Sequence, residues 1–107
     1  MKSLPVRLRP QAHQDIRDVF EWVLENSGYQ QTAENLASRI YDACEALGNF
    51  PMKGKAREVL LKGLRLFPFE RVAVIAYRIS SDEVEVLNIF YGGRDWEAII
   101  ADGSTEY

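Results

Sequence analysis

Residues 64–91 read LRLFPF-ER-VAVIAYRI-SSDE-VEVLNIFY. Three runs rich in Val, Ile, Leu, Phe and Tyr (Leu64–Phe69, Val72–Ile79 and Val84–Tyr91) are parted by two short polar gaps, Glu70-Arg71 and Ser80-Ser81-Asp82-Glu83. β-Branched and aromatic residues fit a pleated strand. Gaps this short force successive strands to double back as hairpins, so the stretch predicts an antiparallel meander. Both of its faces are apolar. In the second run Val72, Val74 and Ala76 alternate with Ala73, Ile75, Tyr77 and Ile79; in the third, Val84, Val86 and Phe90 share one face, and Leu87, Ile89 and Tyr91 the other.

Upstream, Leu4, Val6 and Leu8 alternate with Pro5, Arg7 and Arg9, a strand that Pro5 places at a sheet edge or a strand start. Pro10 opens a helix whose apolar stripe is Ala12, Ile16, Val19, Phe20, Val23 and Leu24, with Asp15, Asp18, Glu21 and Glu25 on the other side. Asn26-Ser27-Gly28 stops it. A second helix starts near Gln31 or Thr32, carries Ala33, Leu36, Ala37, Ile40, Tyr41, Cys44 and Leu47, and ends at Gly48 and Pro51. The short connection makes the two helices antiparallel neighbours. Residues 51–63 read as a basic loop with a turn near Arg57–Leu61, Arg94–Ile100 as a short helix, and residues 101–107 as a frayed end.

The expected fold is therefore α+β: β-α-α-β-β-β, an antiparallel sheet with a helical hairpin packed on one face, in a single domain over residues 1–107. One hairpin covers one face of a sheet, and the 94–100 segment covers only part of the other. Left-over apolar area marks a docking site; a strongly curled sheet that buries both faces itself is the plainer alternative.

Composition agrees with a small globular domain: 107 residues, 47% apolar and 27% charged. There is no run of 18 apolar residues to span a membrane. Met1–Pro5 lacks an apolar signal core, so no secretory leader is expected. The single cysteine, Cys44, excludes an internal disulfide and fits a reducing, cytoplasmic home. The net charge of −3 gives no global reason to bind nucleic acid, but charge is segregated: residues 11–48 carry −5 and residues 53–78 carry +5. The plainer account of such blocks is charged, solvated faces.

Catalytic signatures are sparse. His13 is the only histidine and has no ligand-spaced companion, and Cys44 lies on an apolar stripe. There is no G-x-S-x-G elbow, P-loop or dinucleotide fingerprint. No catalytic residue, metal or cofactor is assigned. The bases carry more promise. Arg65, Arg71, Arg78 and Arg94, with Lys53, Lys55 and Arg57, are expected to converge on one rim that suits phosphates or an acidic protein; a rim of solvated bases and ordinary ion pairs is the plainer account. Trp96, outside the strands, is the aromatic best placed for an interface.

Six segments, in order, resemble the ParE branch of the RelE/ParE toxins of bacterial type II toxin–antitoxin pairs. They are Arg9-Pro10-Gln11-Ala12-x-x-Asp15-Ile16, Leu47-x-x-Phe50-Pro51-x-x-Gly54, Gly63-Leu64-Arg65, Val74-Ile75-Ala76-Tyr77-Arg78-Ile79, Val84-Glu85-Val86-Leu87-x-Ile89 and Tyr91-Gly92-Gly93-Arg94-Asp95. The resemblance spans residues 4–100. It implies the same fold and a partner: a ParD-like, ribbon-helix-helix antitoxin whose amphipathic tail lies over the toxin in a hetero-oligomer.

Relatives of the RelE type cut mRNA on the ribosome with a cluster of bases, often with a C-terminal tyrosine. By this resemblance Arg65 and Arg94 match two basic positions, whereas Phe67, Val74 and Ile100 fall where the nuclease has lysine, arginine and tyrosine. Apolar side chains neither move protons nor stabilise phosphoryl charge. The resemblance thus favours a non-enzymatic toxin similar to DNA gyrase poisons. The alternatives are a ribosome-dependent endoribonuclease and a module that only binds antitoxin. Candidate target contacts are Arg65, Arg78, Arg94 and Trp96. Candidate antitoxin contacts, on exposed flanks of hairpin and sheet, are Trp22, Tyr41, Leu66 and Phe69. Neither membrane contact nor sequence-specific nucleic-acid binding by the toxin alone is expected.

Overall fold

The structure, a computed structural model, describes residues 3–92. The elements are β1 (Val6–Leu8), α1 (Pro10–Ser27), α2 (Gln30–Ala46), β2 (Lys55–Ala56), β3 (Leu64–Phe69), β4 (Ala73–Ser80) and β5 (Glu83–Tyr91). Pro10 occupies the first turn of α1, where its missing N–H would have no helical partner. Gly28 closes the helix in the left-handed conformation, its N–H donating to the Leu24 carbonyl at 2.9 Å. The predicted segment 94–100 lies outside the described residues.

The strands form one sheet in the order β1-β5-β4-β3-β2. The meander β3-β4-β5 is antiparallel, as its turns dictate. The first strand departs from the all-antiparallel expectation: β1 runs parallel to β5, with Val6 opposite Val84 and Leu8 opposite Val86. The sheet is mixed because the intervening helical hairpin returns the chain across the sheet, so the chain re-enters on the far side of the meander. Pro5 sits at the strand start, where its carbonyl accepts the Val84 N–H at 2.9 Å. A further short strand, β2, forms inside the basic loop and pairs antiparallel with Leu66 and Arg65.

The face assignment of the last strand also needs correction. Ala76 is opposite Asn88 but Tyr77 is opposite Val86, so β5 carries one extra residue there. This bulge reverses the alternation. Val84 and Val86 before it, and Ile89 after it, all join the core beneath the helices, with Tyr91 packed against them. Leu87 and Phe90 go to the opposite face.

Asp15 of α1 holds the bulge. It lies on the stripe of Ala12, Val19 and Val23, not on the solvent side, and is buried. Its Oδ2 accepts the Ile89 backbone N–H at 2.9 Å and the Asn88 side-chain amide at 3.1 Å; its Oδ1 accepts the Gln11 amide at 2.8 Å. A helix carboxylate thus satisfies donors that the irregular strand presents to the core.

The second face is better covered than face counting suggests. Leu64, Leu66, Ala76, Leu87 and Phe90 are buried there, with Leu60, Leu61 and Val74 packed against them. Leu60 and Leu61 come from the basic loop, which folds under the sheet through a turn in which the Leu60 N–H donates to the Arg57 carbonyl at 3.1 Å. Among the described residues the exposed large apolar side chains lie elsewhere: Trp22, Tyr29, Tyr41, Phe50, Met52, Val59 and Val72.

The β3–β4 turn is built from Glu70 and Arg71 with φ of 48° and 61°, a region that favours glycine or asparagine. Arg39 of α2 grips it from outside, with Nε and Nη2 donating to the two Glu70 carboxylate oxygens at 3.0 and 3.1 Å.

Two outcomes follow for chemical denaturation. Asp15→Ala strands the Ile89 N–H in the core and lowers the unfolding free energy by about 2–4 kcal/mol; a loss below about 1 kcal/mol refutes the anchoring role. Arg71→Gly relieves the left-handed strain without touching the Arg39–Glu70 pair and raises stability by about 1 kcal/mol; a lower midpoint contradicts it.

Candidate functional site

Arg65 and Arg78, expected on one rim, are on opposite faces of the sheet. Cross-strand partners share a face, and Arg65 is opposite Tyr77 whereas Arg78 is opposite Leu64. Tyr77 belongs to the core under the helices and Leu64 to the other core.

Each arginine is already engaged. The Arg65 Nη1 donates to the carbonyls of Met52 at 3.2 Å and Gly54 at 2.6 Å. The Tyr77 hydroxyl completes the arrangement, accepting the Gly54 N–H and donating to the Pro51 carbonyl, both at 2.7 Å. Burial raises the Tyr77 hydroxyl's pKa, only partly offset by the Gly54 hydrogen bond and the Arg65 charge, so it stays a neutral donor. Gly54 is required by space: a Cβ there would lie 2.6 Å from the Tyr77 hydroxyl oxygen. Pro51, Met52, Gly54, Arg65 and Tyr77, drawn from three of the resembling segments, therefore meet as one latch. It fixes the loop after α2 and leaves Phe50 and Met52 outside, with Lys53 Nζ 4.8 Å above the Phe67 ring.

Arg78 serves a different centre. Glu85 is almost fully buried, and Arg78 Nε donates to its Oε1 at 2.8 Å. Arg7 Nη2 donates to Oε2 at 2.5 Å, and Arg9 Nη1 lies 3.5 Å away. Burial pushes the Glu85 carboxyl up, but the hydrogen bonds and charges of Arg78 and Arg7 outweigh that and hold it below its ordinary value. This carboxylate ties β1, β5 and β4 together.

The antitoxin candidates divide. Trp22 and Tyr41 are exposed on α1 and α2. Trp22 meets Tyr91 edge-on with ring centroids 5.4 Å apart, and Tyr41 places its hydroxyl 3.0 Å from His13 Nδ1. Leu66 and Phe69, taken as exposed flanks, are only 7% and 6% exposed. Leu66 points into the second core, where Leu60 and Leu61 of the basic loop pack, and Phe69 into the core beneath the helical hairpin. Arg94 and Trp96 lie outside the described residues.

The remaining candidates are chemically quiet. Cys44 is buried, and burial, with the charge of Glu45, pushes its thiol up to about 12, far from a thiolate nucleophile at neutral pH. Among the described residues no group of three or more His, Cys, Asp or Glu is placed to hold a metal ion. None of their helices is long and apolar enough to cross a membrane.

Sequence reading missed Asp15 and Glu85 as buried acids. The signal for Asp15 was its position, three residues after Ala12 and four before Val19, on the apolar stripe. Glu85 stands between Val84 and Val86 in a strand flanked on both sides.

Comparison with known proteins adds two findings. A family model described as "ParE toxin of type II toxin-antitoxin system, parDE" matches residues 6–96. A chain from the structure titled "Chromosomal ParDE TA system from P. aeruginosa" superposes with a TM-score of 0.73 at 18% identity, covering 83% of this chain and 96% of that one. At that identity the likeness is one of fold. No curated protein matches the sequence significantly.

Tyr77→Phe removes both latch hydrogen bonds, costs about 1–3 kcal/mol and speeds hydrogen exchange at the Gly54 amide; unchanged exchange there refutes the latch. A lowered Glu85 pKa stabilises the fold above the unfolded-state value, about pH 4.3, and this contribution fades as pH falls through the folded value. The Tm gap between wild type and Glu85→Gln is thus widest near neutrality and narrows in acid. A gap constant from pH 7 to pH 3 contradicts the shift.

Proposed function

From the premise that the chain belongs to the ParE toxin family of type II toxin–antitoxin systems, we propose that it is the toxin of such a pair, working in the cytoplasm. It is restrained by a ParD-like ribbon-helix-helix antitoxin and acts by binding DNA gyrase, not by catalysis. The observation that carries the non-catalytic reading is the engagement of Arg65, which with Arg94 matches a basic nuclease position by the resemblance. Its Nη1 is bonded to two main-chain carbonyls of the latch. By the resemblance, Phe67 and Val74, half-buried on the sheet, fall where the nuclease has lysine and arginine. Arg78, paired with Glu85, serves as a structural residue in this reading and not as a target contact.

The antitoxin is assigned to the exposed flanks of the helical hairpin and sheet. Trp22 and Tyr41 supply apolar anchors there, and the hairpin's −5 charge attracts a basic tail.

Purified toxin added to gyrase and supercoiled plasmid is expected to trap cleaved DNA or block supercoiling, and the antitoxin to reverse it. No effect on gyrase, together with codon-phased mRNA cuts after induction, overturns the reading in favour of a ribosome-dependent nuclease. Trp22→Ala with Tyr41→Ala weakens antitoxin binding at least tenfold, and association slows as salt rises. An unchanged Kd removes the hairpin assignment.

A further inference from the structure

The latch presents a surface that the toxin–antitoxin reading leaves unused. Phe50 and Met52 are 59% and 65% exposed, large values for residues of their size. With Pro51 and Lys53 they line one open depression of about 560 Å³. Loops that expose apolar side chains are ordinarily mobile, and ordering them on binding costs free energy. This one is already ordered: Tyr77 and Arg65 hold three of its carbonyls and the Gly54 N–H. Its charge is one-sided. Residues 50–63 carry Lys53, Lys55, Arg57 and Lys62 against Glu58 alone, and Lys53 and Lys55 are exposed.

We propose that residues 50–56 form a preorganised docking surface for an acidic, amphipathic segment of a partner protein. An apolar side chain of the partner fills the depression between Phe50 and Met52, and its carboxylates meet Lys53 and Lys55. Charge complementarity selects the acid. The apolar floor favours a protein side chain over a bare phosphate, which gains nothing from Phe50 and Met52. The −5 block over residues 11–48 also repels a long polyanion. The surface is separate from the acidic hairpin given to the antitoxin, so it stands or falls independently of that assignment and of gyrase.

A phage-displayed library of random 12-residue peptides, selected on the whole chain, tests this. Selected peptides are expected to be rich in Asp and Glu around one or two Leu, Phe or Trp residues. Measured by fluorescence anisotropy, their affinity is expected to fall at least tenfold in Phe50→Ser/Met52→Ser and in Lys53→Glu/Lys55→Glu. Both variants change exposed side chains and keep the wild-type melting curve; if a curve shifts, backbone amide shifts of residues 50–56 on adding peptide to the wild type decide instead. No enriched acidic consensus, or peptides whose affinity ignores both variants, overturns the proposal. Tighter binding of a 20-nucleotide DNA, single- or double-stranded, that is lost in the same variants reassigns the surface to nucleic acid.

Discussion

The architecture depends on one buried carboxylate. Asp15 receives the Ile89 N–H and the Asn88 amide at the point where β5 gains a residue. Without an acceptor there, the bulge would leave a main-chain donor unsatisfied inside an apolar layer, a cost of about 1–3 kcal/mol. The bulge in turn lets Val84, Val86 and Ile89 all reach the hairpin, although 86 and 89 would point oppositely in a regular strand. Helix position, strand irregularity and core composition are therefore a single solution. Placing the acid at any other point of α1 would remove the reason for the kink.

The long periodic elements were legible in the sequence, and the irregularities were not. The stripes of α1 and α2, the Gly28 stop and the three β runs follow from local spacing alone, because each is decided within a few residues. The parallel pairing of β1 with β5 depends on which edge the chain meets after the hairpin, which no local pattern encodes. The parity switch at Leu87-Asn88 looks like uninterrupted strand in sequence, so Phe90 and Ile89 were given to the wrong faces. At the candidate site, exposure of Trp22 was legible from its place outside the α1 stripe, whereas Tyr41 lies on the α2 stripe in sequence and is nonetheless exposed. Burial of Leu66 and Phe69 was not, since it needs the folded basic loop and the hairpin in place. The Arg65–Tyr77–Gly54 latch joins residues more than ten positions apart; only the resemblance flagged them, without saying what they do together.

Charge segregation along the chain becomes segregation in space only in part. The acids of α1 and α2 mostly remain on the outer face of the hairpin, apart from Asp15. Four of the bases show three different fates. Arg65 is turned inward onto carbonyls, Arg78 joins Arg7 and Arg9 around Glu85, and Lys53 and Lys55 stay on the loop surface. Counting charges by sequence block therefore overstates the positive field. Arginines with fork geometry are used where several oxygens must be held at once, and lysines are left where a mobile point charge suffices.

The parallel β1–β5 pair joins residues as distant as Val6 and Val84. At about 5–20 residues per second of translation, roughly 4–16 s separate the emergence of the two strands from a ribosome. Throughout that interval the N-terminal strand has no neighbour, Asp15 faces no bulge, and the arginines at 7 and 9 lack Glu85. A polypeptide released early, by a stalled ribosome or a truncated message, is left with an open sheet. The complete sheet is thereby confined to chains whose synthesis has run past β5.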